Sequence, residues 1–265
     1  MFEIKFQNEK GVSEIAWQTS WGLTTRTIGV MVMVHGDDTG LVLPPRIAPL
    51  QVVIVPIYSK KFTAEQAEPY CQGILQELTA SGIRCKFDDR TLYNPGWKYN
   101  HWEQKGVPVR IEVGPRDVEN KCARMVIRHN GDKQDVKIDG IGSLMKETLD
   151  TIQNDMFTKA KQARDSHVVQ VTEWKDFVPN LEKHNLVLVP WCGGQEMEWE
   201  EKAKELSREE SLKMRGEEAE DEQTSTSVAA KTLCIPFDQP DLPAGTKCII
   251  SGKDATCWCL WGRSY

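Results

Sequence analysis

Seven consecutive residues, Gln51-Val52-Val53-Ile54-Val55-Pro56-Ile57, carry no charge and are apolar at all but the first position. A run of this kind is typical of a strand buried on both faces, because a half-exposed strand would alternate polar and apolar side chains. The sequence that follows supplies α/β elements. Thr63-Ala64-Glu65-Gln66 fits a capping box, with Thr63 as N-cap and Gln66 reaching back to it. The helix it opens places Ala67, Cys71, Ile74, Leu75 and Leu78 on one stripe, and Gly82 provides a stop. Ile83 to Phe87 reads as the next strand. Val107 to Val113 alternates, so its Val and Ile side chains face a core while Arg110 and Glu112 share the opposite face. Strands near Arg124–His129 and Gln134–Ile138 flank the turn Asn130-Gly131-Asp132. A long helix from Ser143 to Ala163, with Leu144, Leu149, Ile152 and Phe157 near one face, closes this unit.

The flanks differ from this centre. Before residue 50, Phe2–Phe6 and Val30–Val34 alternate as strands do, without obvious partners nearby and with no covering helix, which suggests part of a larger sheet. After it, His167–Val171, a short helix holding Trp174 and Phe177, and Leu186–Pro190 form another strand–helix–strand. An acidic helix then runs into linker composition near residues 215–230, and short strand signals occupy the end from Thr232 to Tyr265.

Charge has to be read by segment. The 265 residues carry a net charge of −6, which on its face disfavours a nucleic-acid binder. Between Glu196 and Glu222, however, the balance is −7, whereas Arg84 to Lys137 carries +4. The acid belongs to one helix and linker, and the middle of the chain is basic. No run approaches the ~18 apolar residues of a membrane span. The first residues lack the pattern of a signal peptide, and eight Cys are too dilute for a disulfide framework, so a cytosolic protein is expected.

The most informative stretch is Trp21-Gly22-Leu23-Thr24-Thr25-Arg26-Thr27-Ile28-Gly29. Taken alone it is a strand bounded by glycines. Arg26 is equally a surface residue on a β-edge or a fixed guanidinium able to stack on a nucleobase or grip a phosphate. The stretch also resembles the third class-defining motif of the class II aminoacyl-tRNA synthetases, in the form used by the prolyl-tRNA synthetases of eukaryotic and archaeal type. The resemblance continues through Val34-His35-Gly36-Asp37-Asp38, Gly40–Arg46, Asn94–Glu103, Lys105-Gly106-Val107-Pro108, Val113-Gly114-Pro115-Arg116-Asp117 and Trp261-Gly262-Arg263-Ser264-Tyr265. These matches span essentially the whole chain in order.

The resemblance implies an α/β fold in three parts. Residues 1–48 would be the end of the class II antiparallel catalytic sheet. Residues 49–160 would be a class IIa anticodon-binding domain, a mixed sheet with flanking helices. Residues 161–265 would be a small α+β C-terminal domain. Arg26 would be catalytic and, with Thr24, would contact ATP, while Ser20, Trp21 and Gly22 would line the proline side of the pocket. The whole enzyme would use ATP and Mg²⁺ to activate proline, charge tRNA(Pro), and act as a cytoplasmic homodimer with no membrane partner. The family's first two motifs should precede residue 1, so these residues alone are expected to be inactive in adenylate formation. The rival is a noncatalytic tRNA-binding or protein-interaction module.

For the anticodon, Asp89, Arg90, Lys98, Lys105, Arg110, Glu112, Arg116 and Asp117 combine cations for phosphates with carboxylates and Arg forks for base edges. The alternative reading is that Arg110 with Glu112, and Arg116 with Asp117, form surface ion pairs. Packing is the favoured reading of Tyr93, Trp97, Tyr99 and Trp102. Cys71, Cys85 and Cys122 read as core residues. The family often has a four-Cys zinc site at the C-terminus. Here Cys192 and Cys248 match two ligands, but Met197 and Ile250 occupy the others, and Cys257 or Cys259 would have to substitute. No metal is therefore expected. Tyr265 is expected to end a tail that packs back toward the catalytic domain.

Overall fold

The structure, a computed structural model, describes residues 3–59, 62–193, 197–216 and 228–263. The chain divides into two units, Met1–Phe157 and Thr158–Tyr265.

The first unit begins with a two-stranded antiparallel sheet, β1 (Lys5–Gln7) and β2 (Ser13–Ile15), followed by helix α1 (Arg26–His35). The helix replaces the strand expected at Val30–Val34, and Arg26 opens it rather than projecting from a strand. The reason is backbone hydrogen bonding. A strand needs a neighbour for its N–H and C=O groups, whereas a helix satisfies its own. No strand pairs with 26–34 among the described residues.

A five-stranded mixed sheet forms the body of this unit. Its strands are β3 (Val52–Pro56), β4 (Cys85–Phe87), β5 (Val109–Val113), β6 (Cys122–Ile127) and β7 (Lys133–Lys137), in the order β4-β3-β5-β6-β7. The first three run parallel, and β6 and β7 return antiparallel. Every residue of β3 is buried, as its apolar run requires. Helices α2 (Ala64–Ala80) and α5 (Ile141–Ser166) cover one face. Val52 and Ile54 meet Cys71, Ile74 and Leu78 of α2 and Met145, Leu149 and Ile152 of α5 there. Helix α3 (Pro95–Gln104) covers the other, where Val53 and Val55 pack on Trp102 and Val107. The Thr63 backbone N–H donates to Gln66 Oε1 at 3.0 Å, and Gly82 takes φ +79° behind α2, so both ends of that helix follow its sequence signals. Phe157 departs from expectation: it is exposed, and Met156 beside it fills the core. Cys71 is buried in this core, and Cys85 and Cys122 are half-buried.

The second unit holds a four-stranded sheet, order β10-β11-β9-β8, from β8 (Val168–Gln170), β9 (Leu186–Trp191), β10 (Lys231–Cys234) and β11 (Cys257–Gly262). Helix α6 (Trp174–Glu182) connects the parallel pair β8 and β9, and α7 (Met197–Arg215) carries the acidic segment. Trp261 meets Phe177 and Trp191 edge-on, at centroid distances of 5.8 and 5.2 Å. Glu182 ties the unit together by ion pairs to Arg215 of α7 and to Arg263 after β11. Most of the acidic linker at 215–230, and Tyr265, lie outside the described residues.

Candidate functional site

The short helix α4 (Pro115–Glu119) follows β5 directly, and its first turn is locked by Asp117, whose Oδ2 accepts from the Gly114 N–H at 2.7 Å. The chain leaves β3 toward β4 on one side, then returns to β5 on the other. The carboxyl ends of β3 and β5 are therefore the point at which connections diverge, a crevice where ligands of open α/β sheets bind. An open cleft of about 530 Å³ lies there, lined by Ile57, Glu112, Gly114 and α4 together with Asn120, Cys122, Arg124 and Asp135.

The floor of the cleft is set by strand register. Glu112 of β5 pairs with Arg124 of β6, which pairs with Asp135 of β7. Register partners point to the same face, so the three charges form one row across the sheet. Arg124 forks onto Asp135, Nε to Oδ1 at 2.8 Å and Nη2 to Oδ2 at 3.1 Å, in an exposed pair. Arg110 lies two residues before Glu112 on the same strand face and binds Glu112 Oε1 through Nε at 2.9 Å. Its guanidinium also stacks 4.2 Å above the Tyr99 ring of α3. The row thus presents carboxylate, guanidinium and carboxylate in sequence, groups that accept from or donate to the edge of a planar heterocycle.

A second cluster forms beyond the carboxyl end of β4. Asp88, which sequence reasoning passed over, is its centre and is fully buried. Arg90 grips it with Nε on Oδ1 at 2.7 Å and Nη2 on Oδ2 at 2.6 Å, and Trp102 donates Nε1–H to Oδ2 at 2.8 Å. Burial alone would push the Asp88 carboxyl up, but the bonds from Arg90 and Trp102 and the neighbouring cations outweigh it and hold it at about 2. Lys98 goes the other way: burial pushes its ammonium down more than the Asp88 charge raises it. Geometry explains the asymmetry. The Lys98 Nζ bonds the Asp88 backbone oxygen at 2.9 Å and stands 3.8 Å from the carboxylate, which Arg90 already occupies. Tyr93, Trp97 and His101 of this region stack in a ladder, 3.9 and 4.9 Å between ring centroids, with Arg90 about 5 Å from the first two rings.

The expected anticodon residues therefore separate into groups. Glu112, Arg116 and Asp117 border the cleft, and Arg110 braces it. Asp89 is exposed beside the Asp88 cluster, which holds Arg90. Lys98 is wholly buried and supports this cluster from within instead of offering a surface charge. Lys105 is the C-cap of α3, at the opposite end of that helix from its Asn94 cap. Of the aromatics, Trp102 packs as expected, whereas Tyr93 and Trp97 remain two-fifths exposed.

Ser20, Trp21, Gly22 and Thr24 lie in an exposed segment without regular structure that leads into α1, where Arg26 is the first residue. Thr24 and Arg26 are both exposed, and none of the described residues closes over them. In the second unit, Cys192 and Cys248 lie near each other and near Ser251, Cys192 half-buried and Cys248 buried. Met197 is exposed and Ile250 packs against the core. Two sulfurs are fewer than the four donors of a structural zinc site. Among the described residues, no three His, Cys, Asp or Glu come together as a metal site, and no helix is long and apolar enough to cross a membrane.

Residues 51–148 match the family described as the anticodon binding domain, and residues 174–265 match that described as prolyl-tRNA synthetase, C-terminal. The chain is 47% identical over its full length to the cytoplasmic proline–tRNA ligase of Arabidopsis thaliana, of which it covers 47%. It is 40% identical over its full length to the bifunctional glutamate/proline–tRNA ligase of Mus musculus, of which it covers 17%. Its backbone superposes on the prolyl-tRNA synthetase of Cryptosporidium parvum with L-proline and AMP bound, at a TM-score of 0.83 and 42% identity, over 98% of this chain and 50% of that one. The same synthetase with halofuginone and AMPPNP gives 0.82 at 43% identity. The chain thus spans at most about half the length of the relatives it matches.

Proposed function

The chain belongs to the prolyl-tRNA synthetase family as its C-terminal part, and from that premise we propose that it reads the anticodon of tRNA(Pro) for a proline–tRNA ligase. The observation that carries this reading is the Glu112–Arg124–Asp135 row opening into the cleft beside α4. Proline anticodons end in two guanines, whose Watson–Crick edge offers N–H donors that a carboxylate accepts. Glu112 and Asp117 are acceptors at this cleft for the guanine edges, Arg116 is an exposed cation for the phosphates, and Arg110 holds Glu112 in place. Asp89 and Lys105, both exposed, extend the charged surface on either side.

In the whole enzyme, Thr24 and Arg26 would contribute to the site for ATP and its Mg²⁺, and Ser20, Trp21 and Gly22 would border the proline. A guanidinium fixed there stabilises charge passing to pyrophosphate without reorganisation. The whole enzyme is proposed to be a cytoplasmic homodimer.

Binding of a tRNA(Pro) transcript to this chain, followed by fluorescence anisotropy at fixed salt, tests the reading. Replacing the two anticodon guanines should weaken binding at least tenfold. Equal affinity for both transcripts would overturn it.

A further inference from the structure

The motif at Val34–Asp38 has no part in either site above, yet its Asp37 stands in a dense set of polar contacts. Arg128 follows β6, and its side chain is almost fully covered, at 6% exposure. Its Nε donates to the Glu103 carbonyl of α3 at 3.1 Å. The two terminal nitrogens fork onto Asp37, Nη1 to Oδ2 and Nη2 to Oδ1, both at 2.7 Å, and Nη2 also reaches Thr39 Oγ1 at 2.8 Å. Thr39 in turn donates its hydroxyl to Asp37 Oδ1 at 2.6 Å. These hydrogen bonds, those of Arg128 first, hold the Asp37 carboxyl well below the usual carboxylate range.

The backbone is shaped to the same contact. Leu41 N donates to Gln104 O and Leu43 N to Gly106 O, so the chain after Asp37 runs against the end of α3. Gly40 and Gly106 sit at φ +136° and +70°. A Cβ on the first would stand 2.6 Å from the Gln104 Cα, and on the second 2.8 Å from Leu41. Only glycine allows an approach this close. Further along, Arg84 binds the Pro45 and Ala48 carbonyls and Gln153 accepts from Arg46 N–H. The segment from Asp37 to Ala48 is thereby held to the anticodon-binding body along its length, with Arg128 at the end nearest Thr24 and Arg26.

We propose that Arg128 is a positioning residue for tRNA charging: through Asp37 and Thr39 it fixes the segment that follows Thr24, Arg26 and α1 in the chain against the end of the helix that flanks the anticodon face. The inference rests on the tRNA(Pro) reading above. A tRNA held by its anticodon must deliver its 3′ end to an active site elsewhere on the same molecule, so a loose joint between the two costs transfer but not adenylate formation. The fork demands Arg, since a lysine offers one point charge and cannot hold both carboxylate oxygens, Thr39 and the Glu103 carbonyl together.

Asp37→Asn, Asp37→Glu and Arg128→Lys in the full-length enzyme test it, with proline-dependent ATP–pyrophosphate exchange and tRNA(Pro) charging measured in parallel. Asp37→Asn and Arg128→Lys should keep exchange within twofold and KM for tRNA within threefold, while kcat for charging falls about tenfold. Asp37→Glu, which keeps the fork, should recover most of it. Charging unchanged in Asp37→Asn, or charging and exchange falling together, would overturn the proposal. A parent enzyme that charges no tRNA(Pro) would instead overturn the reading beneath it.

Discussion

The Trp102 indole donates its Nε1–H to Asp88 Oδ2 at 2.8 Å, joining the last turn of α3 to the carboxyl end of β4 through a fully buried carboxylate. The same carboxylate takes both nitrogens of the Arg90 fork, and the Lys98 ammonium lies 3.8 Å away. One acid therefore holds down the loop and helix that border the candidate face. Asp88→Ala leaves the buried Lys98 without its counter-charge and Trp102 without an acceptor. Removing one partner from such a buried pair costs about 3–5 kcal/mol. Urea denaturation of the chain should show a loss of this size, with little of it recovered in Asp88→Asn, which keeps the shape but not the charge.

The acid stability of the second unit should depend on Glu182. Burial would push its carboxyl up, but the bonds from Arg263 and Arg215 bring it down from 4.5 to about 2. A carboxylate depressed in the fold stabilises it above the unfolded pKa, and the contribution disappears as pH falls through the folded one. The window is thus pH 4.5 down to 2. With its side chain about one-fifth exposed, the ion-paired Glu182 should contribute about 2 kcal/mol at neutral pH. Glu182→Gln should lower neutral stability by that order and flatten the slope of stability against pH inside this window, measured by denaturation of the second unit's Trp fluorescence at a series of pH values.

Much of the sheet was legible because its signals are local. The apolar run of β3, the capping box of α2 and the alternation of β5 each depend on residues a few positions apart, and each element forms where its pattern lies. The site was less legible. Arg124 and Asp135 join Glu112 through strand register, which the turn at Asn130–Asp132 sets but which no single segment displays. Asp88 looks like an ordinary loop acid until α3 covers it. One signal was available for Lys98: it stands four residues from both Asn94 and Trp102, and so shares the inward face of α3 with a buried tryptophan. Val30–Val34 misleads because an apolar β-branched run suits a strand only when another strand lies beside it.

The close approach at Gly40 predicts a stability effect with no change in surface charge. Gly40→Ala must place a methyl against the Gln104 backbone from a φ of +136°, which side chains rarely adopt. The Cβ clash and the backbone conformation act together, and each alone costs about 1–3 kcal/mol. Gly131→Ala, also at positive φ but with open space around the added methyl, isolates the conformational cost. Thermal unfolding of the chain should show Gly40→Ala as clearly the more destabilised of the two; equal melting temperatures would show that the docked segment yields to the methyl.

At the cleft, phosphate and base contacts separate by their salt and sequence dependence. Arg116 is exposed and no ion pair holds it among the described residues, so its proposed role is a phosphate contact. Arg116→Ala should weaken tRNA(Pro) and an anticodon-altered tRNA alike and reduce the slope of log affinity against log salt by about 1. Glu112 is held by Arg110 and is proposed to accept from a guanine edge. Glu112→Gln keeps the side-chain size but replaces one carboxylate oxygen with a donor, so it should cost about 1–3 kcal/mol for the cognate anticodon and much less for the altered one. Arg110→Lys should follow Glu112→Gln rather than Arg116→Ala, because lysine can neither stack on Tyr99 as a planar guanidinium does nor keep the Glu112 carboxylate aimed. Filter-binding titrations with both tRNAs at several salt concentrations distinguish these patterns, and a uniform loss across all three variants would remove Glu112 from base recognition.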